Sequence, residues 1–554
     1  MAESFSLVDR PWIRCQLTDG TEAEVSIRQV FDGSTDIRGV RGDSPTQDYA
    51  VLRLLLAIYW RAHVPDAQPA PGETYDHELW FSNQLEKVNR GEADETVLAY
   101  LSNWSDRFDL LHPEWPFMQV SDLHTKSGYT KPICYLVPDA KSEFFTMRSG
   151  DGRESVTLAE SARWLVHLQA FDHSGIKTGA MDDPRVKQGK LHPRGTAWSG
   201  MTGGTVILGK TIRHTLLFNT VEEALAREDD LPVWEREPDG AAGRKDPTPK
   251  GAADLATWQS RRVRLFVEAG RVTSVLVCVG DRILNRGAEV MDDPMTPYIC
   301  KESRSNSARQ VWRPLAYDAS RTVWTSLEAL LLAEGDVRGG DLINSKAGGG
   351  YFRRPRTLDQ IASLGYGVGP EWVNLGLVSV EYLGKEKSKV KTTVSARIEL
   401  PRSLLAPAEF RARRTVVGQA AVAQIAAKKL GEFAGRLLEA AGGNFKHQPS
   451  SSDALLKDLE PEFLEWIGKL GRGGIDQGVR TWQLTVREVT LAHARAMLRG
   501  AGPKALVGRT VSGRGARPVA VVSAGSAYQD LQRALYEALP AISKNTSAET
   551  NEEN

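Results

Sequence analysis

Apolar residues in the first third of the chain fall in short, separated blocks. Residues 12–17 and 23–27 carry strand-like patterns on either side of a turn at Asp19-Gly20. Ser44-Pro45-Thr46-Gln47-Asp48 then has the composition of a helix start, with proline early and an acid in the first turn. The VLRLLLAIYWRA that follows is apolar almost all round, which predicts a helix buried on every side. Residues 95–125 hold a second helical stretch and the turn-rich His112-Pro113-Glu114-Trp115-Pro116-Phe117.

From about residue 125 to 400 the pattern turns irregular. Strand-like runs at 205–208, 215–218, 263–267 and 272–279 alternate with loops rich in glycine, proline and charge. The run EREPDGAAGRKDPTPKGA at 235–252 reads as an exposed loop. After residue 400 the periodicity becomes helical, over 408–441, 452–470, 477–498 and 526–542, with no strand between. Together these patterns predict an α+β protein. A large, irregular, mixed N-terminal domain (1–400) precedes a C-terminal four-helix bundle (401–554) whose tail, SKNTSAETNEEN, is polar and disordered. No repeat of solenoid period occurs.

Composition narrows the function classes. Of 554 residues 41% are hydrophobic and 25% charged, which excludes wholesale disorder. Seventy basic residues cancel seventy acidic ones, so any affinity for nucleic acid must reside in local patches. Cys15, Cys134, Cys278 and Cys300 stand far apart without CxxC spacing, which argues for reduced thiols and against a zinc site. No run approaches the roughly 18 apolar residues of a membrane span, and the amino terminus has no apolar signal region, so the expectation is a cytoplasmic protein without membrane partners.

The residues 204–211, GTVILGKT, match the phosphate-loop pattern GxxxxGK[ST] letter for letter. That motif needs a strand, a loop and then a helix. Here no strand-like run precedes Gly204, the interior Thr-Val-Ile-Leu is itself strand-like, and residues 211–218 run apolar as a further strand would. The pattern therefore reads as strand and turn, and a nucleotide-hydrolysing protein built on Gly204, Gly209, Lys210 and Thr211 stands as the alternative. His167, on an apolar segment, reads as a satisfied core histidine, and Asp182-Asp183 and Asp292-Asp293 as turns or helix caps. No HExxH or GxSxG occurs, so nothing else argues for catalysis.

Three basic islands point instead to nucleic acid. Residues 185–213 carry Arg185, Lys187, Lys190, Arg194, Lys210 and Arg213 without one carboxylate, interleaved with glycines, His192 and Trp198. Residues 385–414 hold nine basic residues against three glutamates, a net of +6. Their lysine-rich start, Lys385 to Lys391, has the pattern of a hairpin tip between strands at 378–383 and 394–400, a feature that can enter a groove or merely solubilise an edge. Lys301, Arg304, Arg309 and Arg313 surround Trp312 in a third island.

Several segments together resemble a known family. FSLVDRPWI at 5–13, SIRQVF at 26–31, GDSPTQ at 42–47, HPEWPFMQ at 112–119 and SGMTGGT at 199–205 are similar, in order and spacing, to the large subunit (CasA) of the type I-E CRISPR Cascade complex. The resemblance spans nearly the whole chain. It implies a non-enzymatic, cofactor-free subunit that recognises the protospacer-adjacent motif (PAM) of double-stranded target DNA from the minor groove. It further implies that the subunit wedges the strands apart to start the R-loop, assembles with guide-RNA-containing subunits including the small subunits, and docks a helicase–nuclease. The family's glycine loop falls on Gly195, flanked by Arg194 and Trp198. Its strand wedge falls on Lys385, Lys387, Ser388 and Lys389, where relatives can use glutamine. An aromatic and polar loop falls on Phe145 and Arg148, and a basic finger on Arg282 or Arg286. Some relatives carry a mid-chain cysteine cluster that this sequence lacks, so no metal is expected.

Overall fold

The computed structural model describes residues 4–69, 72–141, 146, 148–192, 195–245, 247–283, 291–301, 311–317, 322–333, 350–365, 367–384, 387, 389–470, 475–511 and 520–543. Helix and sheet are mixed, and the chain forms two compact units. The first comprises Met1–Ile299, Arg309–Ala319 and Arg354–Arg397; the second comprises Cys300–Ala308, Ser320–Arg353 and Ile398–Asn554.

The first unit begins with strands β1 (Ile13–Leu17), β2 (Glu22–Val25) and β3 (Ile37–Val40), in the order β2-β1-β3. Helix α1 (Pro45–His63) follows. The Ser44 side chain accepts the Gln47 N–H, Pro45 occupies the first turn where its missing donor is harmless, and Asp48 faces the helix's positive end. Sixteen of its 19 residues are buried, as the all-round apolar pattern predicts. Two further helices, α2 (His77–Asn89) and α3 (Glu95–Asn103), begin at Asp76 and Asp94, whose carboxylates accept the N–H of Leu79 and Val97. Helix α4 (Leu158–Phe171) packs against α1. On it His167 meets the Thr46 hydroxyl at 3.0 Å, and burial pushes its pKa down to about 4, so it is the satisfied core histidine that was expected.

A one-turn helix, α5 (Trp198–Thr202), leads into strand β4 (Gly204–Leu208). Residues 215–218, expected as strand, belong instead to helix α6 (Ile212–Phe218). The Thr211 hydroxyl caps it by accepting the His214 N–H, and an apolar run this short does not by itself distinguish helix from strand. Strands β5 (Arg261–Glu268) and β6 (Arg271–Val279) form a hairpin paired from Arg271↔Glu268 to Val279↔Arg261, with a shift of register between Val272 and Ser274. Its turn, Ala269-Gly270, takes positive φ at both residues, 50° and 72°, the geometry that matches strand twist. Strands β7 (Trp372–Leu383) and β8 (Lys389–Pro401) flank the lysine-rich tip, and the sheet order is β8-β7-β4. Gly203 is required where β4 begins: its φ is +65°, and a Cβ there would lie 2.7 Å from the Val378 carbonyl oxygen on β7.

Residues 235–252 have no regular structure over most of their length, but they are not the freely exposed loop expected from their composition. Arg244 pairs with Asp281 at 2.5 Å, Asp239 with Arg262 at 3.4 Å and Arg236 with Asp254 at 3.4 Å. The charges that made the segment look solvated are the groups that tie it down.

In the second unit α7 (Thr322–Leu331), α8 (Phe410–Ala440), α9 (Pro449–Lys469), α10 (Ile475–Arg499) and α11 (Ala524–Ala538) carry the helical periodicity. Helix α8 packs against each of the other four. Trp324, Phe463, Trp466 and Trp482 stack with centroid separations of 4.8 to 6.4 Å, and their indole nitrogens donate to the carbonyls of Leu456, Gly478 and Gln419. The tail at 544–554 and residues 302–310 of the third basic island lie outside the described residues. No helix among the described residues is long and apolar enough to cross a membrane. The four cysteines are free, and burial pushes the thiols of Cys15 and Cys278 up to about 12.

At the C-terminal end of α1, fully buried His63 meets Asp66 at 2.7 Å and Asp94 at 3.3 Å. Burial alone would lower its pKa; the hydrogen bonds and charges of the two carboxylates outweigh burial and raise it above 6.5. A pKa raised by folding stabilises the protein fully below the unfolded value and ceases to do so as pH climbs through the folded value. Melting temperature should therefore fall as pH rises from about 6.5, and His63→Gln should flatten that part of the profile. Identical slopes from pH 6 to 9 would remove the imidazolium from the account.

Candidate nucleic-acid interface

A cavity of about 430 Å³ in the first unit is lined on one side by Arg185, Lys187, Lys190 to His192, Gly195, Thr196 and Trp198, and on the other by Arg261, Val279 and Asp281 to Ile283. Local chemistry explains each wall. Gln188 and Gly189 take positive φ, 50° and 71°, in a two-residue turn that sets Lys187 opposite Lys190, and both lysines are exposed. Gly195 holds φ at +123°, a conformation that side chains rarely tolerate. The opposite wall continues directly from β6.

Charge in the cavity is unevenly spent. Asp281, its carboxylate, already accepts from Arg262 at 2.8 Å, from Arg244 at 2.5 Å and from the Arg244 N–H at 2.8 Å. Arg185 is held by both oxygens of Asp183, and Arg261 by Asp172. Burial would raise the Asp172 pKa, yet Arg261 and Lys177 hold it well below the carboxylate range. Lys187, Lys190 and Arg282 form no ion pair among the described residues. The Arg282 Nε and the Thr196 hydroxyl are buried without a hydrogen-bond partner among those residues. The cavity thus offers unneutralised cations, spare polar hydrogens and a bare glycine backbone, with its one carboxylate consumed. That donor set suits a phosphate-bearing polyanion.

The β7–β8 hairpin is fastened beside this cavity. The Tyr382 hydroxyl donates to the Phe171 carbonyl at 2.7 Å, and its ring covers Gly200 of α5 so closely that a Cβ there would clash. Near the tip the Ser174 N–H donates to the Lys387 carbonyl at 3.1 Å. Lys387 and Lys389 are exposed.

Of the residues singled out from the sequence, Gly195, Trp198 and Arg282 meet in the one cavity, with Lys387 and Lys389 on the adjoining hairpin. Trp198 needs correction as a contact residue. It is 2% exposed, with the Arg53 guanidinium 4.8 Å from its ring centroid, so its aromatic face is already covered. Arg148 is likewise committed within the chain, to Asp139 at 2.8 Å, to Glu160 and to the Gly152 carbonyl. Arg194, Phe145, Arg286, Lys385 and Ser388 lie outside the described residues. Arg413, counted in the second island, is 1% exposed and donates to the Leu404 and Ala406 carbonyls. Lys187 and Lys190 belonged to the first basic run but had not been singled out; only their turn shows that they face the cavity.

The phosphate-loop alternative does not survive. Gly204 to Leu208 are paired in a ladder with Val378 to Asn374 of β7. The N–H groups of Thr205, Ile207 and Gly209 donate to Met295, Asn219 and Thr215, each at 2.9 Å. The residues that would form the loop around a phosphate are thus held in a strand, with three of their amides committed elsewhere.

The family model described as CRISPR-associated protein Cse1 matches residues 6–493. The chain belongs to the Cse1 family. A Cse1 crystal structure from Thermobifida fusca superposes with a TM-score of 0.82 at 32% identity, covering 97% of this chain and 98% of that one. Cse1 from Acidimicrobium ferrooxidans gives 0.76 at 26% identity, covering 98% and 100%. The CasA/Cse1 protein of Thermus thermophilus is 29% identical over 285 residues, 49% of this chain; the match spans about half the length of that curated relative. A chain of a structure described as a CRISPR RNA-guided surveillance complex shares the fold, at 19% identity and a TM-score of 0.67, covering 96% of this chain and 99% of that one. In this Cse1-family chain no cluster of three or more metal-ligating side chains occurs among the described residues.

Lys187 and Lys190 carry no ion pair among the described residues, so if duplex DNA is the polyanion bound in this cavity, replacing both with alanine should weaken its binding about equally for every sequence. The slope of log affinity against log salt should become shallower by about 2. A selective loss for one sequence, or an unchanged slope, would place the polyanion elsewhere.

Proposed function

We propose that this Cse1-family chain is the large subunit of a type I-E CRISPR Cascade complex, an RNA-guided assembly in which it recognises the PAM of double-stranded target DNA. Its partners on this reading are the guide-RNA-containing subunits, the small subunits and, once the R-loop has formed, a helicase–nuclease. The observation that carries the proposal is the convergence of the Gly195 backbone with Lys187, Lys190 and Arg282, unpaired among the described residues, in one cavity next to a lysine-tipped hairpin. A glycine loop without a side chain can approach a minor-groove floor closely, cations beside it hold the flanking phosphates, and on this reading the hairpin separates the strands. On this reading the role is binding rather than catalysis, in keeping with a cavity whose one carboxylate is taken up by arginines.

Adding the chain to a guide-loaded complex that lacks its large subunit should produce a large preference, at one fixed salt, for matched duplexes with a permissive PAM over a scrambled one. Gly195→Asp should abolish that preference while assembly is retained, since it puts a strained backbone and a negative charge against phosphate. Gly195→Ala isolates the backbone cost, about 1–3 kcal/mol. Unchanged target affinity in Gly195→Asp would remove the loop from the site.

Lys387→Ala together with Lys389→Ala should slow R-loop opening more than first contact. Equal loss on a duplex already opened at the target would reduce the hairpin to a general phosphate contact.

A further inference from the structure

Arg53 lies in the middle of α1 and is 1% exposed. Its guanidinium sits 5.4 Å from the Trp60 ring centroid and 4.8 Å from that of Trp198. Its Nη1 donates to the Asp293 carboxylate at 2.9 Å, and that carboxylate is itself fully buried. The ion pair is incompletely satisfied: Arg53 Nε and Nη2 and Asp293 Oδ2 have no hydrogen-bond partner among the described residues. A buried pair joined by one hydrogen bond contributes little net stability, because desolvating both charges offsets most of their attraction. Its position is more telling than its strength.

Of the partners of Arg53, Trp198 lines the cavity, while Asp293 lies behind the other wall, next to the residues that pack under it. Trp198 opens α5, three residues after Gly195. Asp293 follows Met291, which packs with Ile283, the neighbour of Arg282, and with Trp198 itself. Asp293 is fixed in turn, accepting the Met295 N–H at 2.9 Å while its own N–H donates to the Tyr298 hydroxyl at 3.2 Å. One guanidinium therefore stacks on the glycine-loop wall and bonds to the segment that leads away from Arg282.

We propose that Arg53 is a positioning residue for DNA recognition. It sets the separation of Gly195 from Arg282 through Trp198 and Asp293, without touching DNA itself. This rests on the reading of the cavity as the PAM site. The guanidinium suits the task because it is planar, always charged and able to stack and donate at once, whereas an ammonium can do only part of this.

The test uses the full chain in the reconstituted complex and reads the ratio of affinities for permissive and scrambled PAM duplexes at fixed salt. Arg53→Lys keeps the charge but loses the planar stack; Arg53→Met with Asp293→Leu replaces the pair by apolar groups of similar size. Both should assemble, hold scrambled-duplex affinity within about twofold, and lower the ratio about tenfold, the scale of one lost groove contact. A merely structural role would lower the yield of complex and both affinities together, leaving the ratio intact. A wild-type ratio preserved in Arg53→Lys overturns the assignment alone. Failure of Arg53→Lys to assemble overturns it too, since the pair then serves the fold. No preference in the wild-type complex overturns the PAM reading itself, and this inference with it.

Discussion

A helix buried on all sides has no face to give to solvent, and α1 imposes that constraint on the first unit. A charge along its buried length must be answered inside the protein, at a cost of several kcal/mol if left unpaired. Arg53 is answered by Asp293 and two indoles, His63 by Asp66 and Asp94. Tyr49 lies so close to Gly204 that a side chain at that position would collide with its ring. Residues distant in sequence are thereby pinned to one helix, and the cavity walls are among them.

A second junction, at Phe171 and Asp172, gathers what α1 does not reach. The Asp172 carboxylate binds Arg261 of β5 and Lys177, while its carbonyl accepts the Ala197 N–H at 2.9 Å. The carbonyl of Phe171 receives Tyr382 from the hairpin. Glycine loop, β5–β6 hairpin and β7–β8 hairpin thus share an anchor at the end of α4. Each contact is modest, about 1 kcal/mol for a neutral hydrogen bond and more for the charged ones, but together they fix relative placement.

What was legible in the sequence was what local chemistry decides. Helix α1 is announced by Ser44, Pro45 and its apolar run, and β5 and β6 by β-branched runs around Ala269-Gly270. Helix α4 was there to be read in the Thr157 cap and Glu160, but the irregular composition around it obscured them. Residues 235–252 were misread because the acids and arginines that hold them, Asp281, Asp254 and Arg262, lie in other segments. The site divided the same way. Gly195 came through resemblance, the hairpin was legible from its own strand and turn pattern, and Lys187 and Lys190 stood in a visible basic run. The burial of Trp198 depends on Arg53, whose own partner Asp293 is 240 residues further along, and no local pattern encodes that pairing.

The seat of Tyr382 on Gly200 has a consequence for geometry along a bound duplex. Its ring occupies the space a side chain would need, so the tip end of the hairpin is keyed to α5, the helix that continues the glycine loop. On the function proposed above, the point where the strands first part is therefore measured from the point where the motif is read. The tyrosine-in-glycine joint acts as the fixed end of a ruler. On that reading a change of side chains at the tip alters how the strands are parted without changing which base pair opens first.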